Sequence, residues 1–331
     1  MKKEKQFPVI SRNIFQPNRL RKASALLAGC VILAAAFLMV ASLPVPISAG
    51  QGDSMPKVLR AGFLSRVFSD IDPRDAQATL ELLTRELSRN MGLNTTPKAI
   101  VFPDTKSMAD AIRRGELDLV SLPTIEYLRI RETVSLIPSF VGAHNNGMGT
   151  RYVLITRSDS GFRSISDFKG KTFFVPSANK HEAGHVWLDV LVMKEGKGNP
   201  ATFFRQVKEA AKVSQAIMGV FFRQADGAIV TRAGLDASRL LNPQLDRQLV
   251  VLAESHNLSD GITCFPATAS EKTRRTMANA VTQLSNSTTG RQLFTIFQTS
   301  GTIPFRPAFL EGIEDLLREQ RRLKAKTAKR S

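Results

Sequence analysis

Two cysteines in 331 residues leave little room for a disulfide-built fold. Cys30 falls in an N-terminal apolar segment and Cys264 stands alone beyond it. Once that segment is removed no internal disulfide can form, and Cys264 reads as a buried thiol. The chain also lacks a G-x-x-x-x-G-K-[ST] loop, which excludes a P-loop nucleotide engine. No internal repeat is evident. Basic residues interleaved with aromatics on one stretch are missing too, although the formal charge is +17. That charge divides as +6 before Gly50, +6 from Leu317 onward and +5 for the long middle. Cations held at two ends exclude a nucleic-acid-binding face.

Long apolar runs are equally scarce. Residues 23–43 carry no charge and follow seven basic residues, and Ile47-Ser48-Ala49 comes after Pro44 and Pro46. This order is that of a signal peptide cleaved after Ala49. The run is also just long enough to span a bilayer, so residues 1–49 can instead be an uncleaved anchor with the basic end in the cytoplasm. Leu27-Ala28-Gly29-Cys30 has the form of a lipoprotein box, but most of the apolar run lies after the cysteine rather than before it. Each of these readings exports the remainder, so the expected location is periplasmic or extracytoplasmic.

Short apolar strands and amphipathic helices alternate from residue 57 onward. Strands are expected at 57–63, 99–102, 117–122, 152–156, 172–175, 227–231 and 249–253. Asp72-Pro73 starts a helix with Asp as cap and Pro in the first helical position, and Gly92 closes it. Ala76, Leu80, Leu83, Leu87 and Met91 form its apolar stripe. Further helices are expected at 107–114, from Pro123-Thr124, and at 181–194, 214–223 and 237–241. Others follow from Ser270-Glu271, over 289–297, and from about Phe309 into the basic tail. Units of this length predict an α/β protein of two lobes, each a mostly parallel sheet flanked by helices. The expected division is 56–150 for the first lobe, 151–254 for the second, a helical return to the first over 255–316, and a basic tail over 317–331. In such a fold ligands sit at the carboxyl ends of the strands, where both lobes face one cleft.

One stretch, 164–185, holds two competing chemistries. Its first part is a polar turn, a buried strand and then Ser177 opening a helix, where backbone N–H groups can hold an anion. Ser177 can cap that helix or donate to a ligand oxygen, and Asn179 can donate an amide. Lys180 adds a point charge suited to phosphate-like groups, or is a solvated surface charge. His181 can help hold an anion when protonated. The stretch ends in His181-Glu182-Ala183-Gly184-His185, which matches the H-E-x-x-H zinc-peptidase pattern with Glu182 as general base. The extended form with a third histidine fails, because Leu188 and Leu191 occupy those positions. Glu209 is then the best remaining third ligand to join His181 and His185 in a membrane-tethered peptidase.

Several segments occur together in a familiar order: K-V-L-R-A-G-F at 57–63, G-E-L-D-L-V-S-L-P-T-I-E-Y at 115–127, R-Y-V-L-I-T-R-S-D-S-G-F-R-S-I-S-D-F-K-G-K at 151–171, and Q-A-D-G-A-I-V at 224–230. Together they resemble the periplasmic phosphate/phosphonate-type substrate-binding proteins of ABC importers, over about residues 57–304. The resemblance implies a type II periplasmic-binding-protein fold closing on a small oxyanion, an ABC permease as partner, no enzymatic activity and no cofactor. A signalling protein in place of the permease is the alternative partner. Carried over, the loop after the first strand offers Ser65 and Arg66, and the loop after the third offers Ser121 and Thr124, with Tyr127 one turn on. The second lobe offers Ser177 and Asp226, the latter equally suited to a tight turn before Gly227. The chain departs from the family where Pro176-Ser177-Ala178-Asn179-Lys180 replaces a Ser/Thr-rich loop, and at Val213-Ser214, where a histidine is common. The ligand therefore stays open among phosphate, phosphonate and other small anions.

Overall fold

Strand content lies in two separate sheets. The computed structural model describes residues 57–68, 73–90, 95–144, 147–195, 200–288, 290–291, 294 and 299–328. The leader over 1–49, Asp72, Met91 and Gly92, and most of the helix expected over 289–297 lie outside the described residues.

The first sheet takes β1 (Val58–Leu64), β2 (Thr96–Phe102), β3 (Leu119–Pro123), β4 (Leu136–His144), β5 (Gly147–Met148), β11 (Gly261–Pro266) and β12 (Gly301–Pro304). Its order is β12-β4-β11-β3-β1-β2, with β5 paired to β4. The second takes β6 (Tyr152–Arg157), β7 (Thr172–Pro176), β8 (Gln206–Ala210), β9 (Gly227–Thr231) and β10 (Leu249–Glu254), in the order β10-β6-β9-β7-β8. Helices flank both: α1 (Pro73–Asn90), α2 (Thr105–Arg113), α3 (Thr124–Ile130), α4 (Ala178–Lys194), α5 (Pro200–Phe203), α6 (Val213–Phe221), α7 (Arg232–Leu241), α8 (Gln244–Gln248), α9 (Glu271–Asn286) and α10 (Ala308–Ala328).

Strand periodicity explains the layering. Leu59, Ala61 and Phe63 leave one face of β1 to pack with Leu80 of α1 and with Met277, Val281 and Leu284 of α9. Leu64, Val120 and Leu122 join Met108 and Ile112 of α2 in a cluster of their own. Helix starts follow local chemistry: the Asp104 carboxylate accepts from the Ser107 N–H, and the Ser270 hydroxyl accepts from the Thr273 N–H. In the second sheet all five residues of β7 are buried, as a strand covered on both faces requires.

Two expectations change. Parallel pairing is confined to β2-β1-β3 and β8-β7-β9, and the remaining pairs are antiparallel. The reason is the return segment: it is not merely helical but inserts β11 between β3 and β4 and adds β12 at the edge. Strands β4, β8, β11 and β12 carry weak sequence signals. Pro138 and Gly142 interrupt β4, β8 is a polar edge strand, and β12 has four residues.

Two chain crossings join the sheets side by side. Thr150 and Leu258 exchange backbone hydrogen bonds of 2.8 and 3.0 Å, and Ser255 N–H donates to the Tyr152 carbonyl at 2.8 Å. Gly149 sits at φ +77° with the Leu258 carbonyl oxygen 2.4 Å from where a Cβ would stand, so only glycine fits. Helix α10 touches both lobes: Leu310 packs in the first-lobe cluster, while Ile313 packs in a second-lobe cluster and Leu323 against Val190 and Met193 of α4. The basic tail is thus a continuation of this helix through Ala328. Among the described residues no helix is long and apolar enough to cross a membrane.

Candidate functional site

Strand ends from both sheets converge on four charged side chains. After β1 a 3-10 turn, Ser65–Phe68, carries Arg66. Its guanidinium donates to Glu126 Oε1 of α3 at 2.5 Å, to Glu182 Oε2 of α4 at 3.1 Å and to the Ala178 carbonyl at 3.5 Å. Arg129 of α3 reaches the same two carboxylates, Glu126 Oε1 at 2.8 Å and Glu182 Oε1 at 2.5 Å. The second oxygen of Glu126 accepts from Thr105 Oγ1 at 2.8 Å. Two arginines and two glutamates therefore alternate in a ring that spans the lobes. Glu126 is only 5% exposed, so its charge depends on these partners. Burial pulls the Arg129 pKa down, but hydrogen bonding and attraction to Glu182 and Glu126 outweigh it and raise the value.

The opening of α4 completes the arrangement. Ser177 occupies the N-cap position but its side chain makes no capping hydrogen bond. The Ala178 N–H instead donates to Glu209 Oε1 at 3.0 Å, which places a carboxylate at the helix N-terminus. His181 interrupts the helix with φ −115° and ψ 38°, so the motif does not ride one regular helical face.

This geometry removes the zinc reading. His185 Nε2–H donates to the Pro176 carbonyl at 2.6 Å and His181 Nδ1 lies 3.2 Å from the Tyr152 hydroxyl. Glu182 is held by two guanidinium groups and Glu209 by a backbone N–H, so neither stands as a free base or ligand. Among the described residues no group of three His, Cys, Asp or Glu is placed to hold a metal ion. Gly184 has a packing reason: a Cβ there would stand 2.7 Å from the Tyr152 ring. That tyrosine is fully buried, and desolvation, with Asp260 adding to it, raises its pKa well above the ordinary value.

Other predicted positions separate. Ser65 Oγ donates to the Pro103 carbonyl at 3.3 Å and Ser121 Oγ accepts from Thr263 at 3.4 Å, both at half-exposed positions near the strand ends. Asn179 is exposed and Lys180 half-buried in the first turn of α4. Three positions have interior or distant surroundings. Thr124 is fully buried, its hydroxyl 3.0 Å from Ser259 Oγ and its N–H bonded to the Asp260 carbonyl. Tyr127 is 6% exposed in the core with Ile130, Val134 and Cys264, and desolvation raises its pKa. Asp226 accepts from the Thr172 N–H at 2.8 Å, at the amino end of β7 and thus at the opposite end of that strand from Ser177. Sequence reasoning missed Glu126 and Arg129, whose i,i+3 spacing reads as an ordinary helix-surface pair.

The family described as ABC transporter, phosphonate, periplasmic substrate-binding protein matches residues 66–309. Solved structures share the fold. XAC2383 from Xanthomonas citri bound to ATP aligns at 16% identity with a TM-score of 0.60, over 82% of this chain and 99% of that one. A binding protein component of an ABC phosphonate transporter from Pseudomonas aeruginosa aligns at 16% identity and 0.57, over 82% and 89%. PhnD1 from Prochlorococcus marinus in complex with methylphosphonate aligns at 16% identity and 0.55, over 80% and 98%. No curated protein matches the chain in sequence.

Proposed function

The chain belongs to the periplasmic phosphonate substrate-binding family of ABC transporters, extracytoplasmic receptors rather than enzymes, and from that premise we propose that it captures a small phosphate- or phosphonate-like oxyanion between its lobes and presents it to a membrane permease. In this reading 56–150 with 255–316 forms one lobe and 151–254 the other. The leader over 1–49 exports the protein, and cleavage after Ala49 starts the mature chain at Gly50.

The observation that carries the reading is the meeting of Arg66, from the carboxyl end of β1, with the start of α4, from the carboxyl end of β7. Ligands of open α/β sheets bind at such strand ends. Ser177 supplies a hydroxyl not used in capping, and Ser65, Ser121, Asn179, Lys180 and His181 surround the same ends as further candidates. The crossings at 149–152 and 254–258 serve as hinges.

Titration calorimetry with inorganic phosphate, methylphosphonate and sulfate, paired with small-angle scattering, tests this function. Saturable binding of at least one anion is expected, with a change in radius of gyration on saturation. No heat with any of the three, from the wild type or from variants that free the cleft arginines, removes the oxyanion reading. Intact-mass measurement of exported protein decides where the mature chain begins.

A further inference from the structure

Glu182 belongs to a motif whose catalytic meaning the geometry removes, yet it joins the lobes at the cleft. Resting on the receptor reading above, we propose that Glu182 is a built-in competitor of the ligand: its carboxylate occupies the oxyanion position between Arg66 and Arg129, and the incoming phosphate or phosphonate binds by displacing it.

Three observations lead there. First, Glu182 is bound as a ligand would be. Its two oxygens are divided between two guanidinium groups, Oε2 to Arg66 and Oε1 to Arg129. Planar guanidinium forks recognise carboxylate and phosphate oxygens alike. Arg66 Nε is buried without a hydrogen-bond partner, a spare donor that a third oxygen of a tetrahedral anion would take, since both oxygens of Glu182 are already engaged. Second, the other anion-binding feature is filled in the same way: the Ala178 N–H at the α4 N-terminus donates to Glu209.

Third, charge and exposure decide which carboxylate yields. Two arginines and two glutamates sum to zero, so a dianion added to the intact ring would sit in a partly buried site without a counter-charge. One glutamate has to leave. The Glu126 side chain is 7% exposed, holds both arginines and receives Thr105; the Glu182 side chain is 22% exposed and Glu209 is at the surface. Glu182 can turn into solvent, whereas Glu126 cannot without burying or stranding its partners. Affinity is thereby lowered, and an anion that cannot outbid a carboxylate is refused.

The test is calorimetric titration of wild type, Glu182→Gln and Glu209→Gln with inorganic phosphate, methylphosphonate and sulfate, with melting curves of the ligand-free proteins. Glu182→Gln should bind at least about tenfold tighter, as expected from charge-assisted hydrogen bonds no longer having to be broken first. It should also melt lower without ligand, because the interlobe contact is weakened. A purely structural Glu182 would lower the melting temperature and the affinity together. Glu209→Gln should gain affinity as well and keeps the proposal testable should Glu182→Gln not fold. Binding by Glu182→Gln where wild type is silent supports the competitor. Binding by wild type with neither variant tighter overturns it and leaves the receptor reading standing. Silence of all three proteins toward all three anions overturns both.

Discussion

Two charge networks in this molecule use the same residue types to opposite ends. At the carboxyl end of β6 in the second sheet, Asp159 pairs with Arg157 at 2.9 Å and with Arg223 at 2.6 Å, all within one lobe. At the cleft, Arg66, Glu126, Arg129 and Glu182 pair across sequence separations of 60, 116 and 53 residues and across lobes. In the outer network Asp159 and Arg223 are exposed, and the less exposed Arg157 keeps the Phe221 carbonyl as a second partner, so the bonds to Asp159 are exchanged for water at little loss. The cleft network is half-buried around Glu126, where a missing partner strands a charge. Position, not composition, separates a surface decoration from a device that can respond to a ligand.

The largest expected effect comes from breaking the cleft ring at its hub. Arg66→Ala leaves Glu126 buried with one cation instead of two and should cost about 3 kcal/mol in denaturant unfolding. It should also eliminate oxyanion binding in titration. A loss no larger than that of an exposed pair would place the cleft network in the same class as the outer one.

Ser177→Ala sharpens the functional side. Because the hydroxyl makes no capping bond, stability should stay nearly unchanged while affinity falls about tenfold or more, the worth of one hydrogen bond to a charged ligand. Calorimetry and melting curves on the same preparation separate these outcomes. Thr124→Ala should do the reverse: with its hydroxyl paired to Ser259 in the interior, about 1 kcal/mol of stability goes and affinity holds. Weaker binding without destabilisation would return Thr124 to the site.

The smallest effect belongs to the outer network. Hydrogen bonding to Arg157, then the charges of Arg157 and Arg223, lower the Asp159 pKa to about 2. A carboxylate lowered in the folded state stabilises above its unfolded value near 4, and that contribution is lost as pH falls through about 2. Asp159→Asn should therefore lower the melting temperature slightly at pH 7, and the difference should shrink as pH falls toward 2 and disappear in molar salt. A difference persisting in molar salt would show that the site is less solvated than its exposure indicates.

The same contrast governs what was legible. Asp72-Pro73 predicts a helix beginning at Pro73, and Ser270 predicts the cap of α9, because start signals are encoded within three or four residues. The apolar runs at β7 and β9 announce buried strands for the same local reason. Strands β4, β8, β11 and β12 escaped because β8 and β12 are short edge strands, β4 and β11 carry proline, and all four draw their stability from neighbours distant in sequence. His181-Glu182-Ala183-Gly184-His185 misled in a related way. The letters fit a metal site, but Pro176 and Tyr152 occupy the two histidines and two arginines occupy Glu182.

The family was carried by the resemblance of whole segments, whereas the residue pattern by itself determined an α/β chain of strand–helix units and the polar loops after β1 and β7. These follow from side-chain period, capping chemistry and glycine placement, all of which act over a few residues. Only the tertiary structure decided that Thr124 and Tyr127 are buried and that Asp226 bonds the amino end of β7, that α10 packs on both lobes, and that Glu126, Arg129 and Glu182 close on Arg66. Those outcomes depend on which residues, dozens of positions apart, are brought within 3 Å and out of water, where a carboxylate must find a cation or give up its charge.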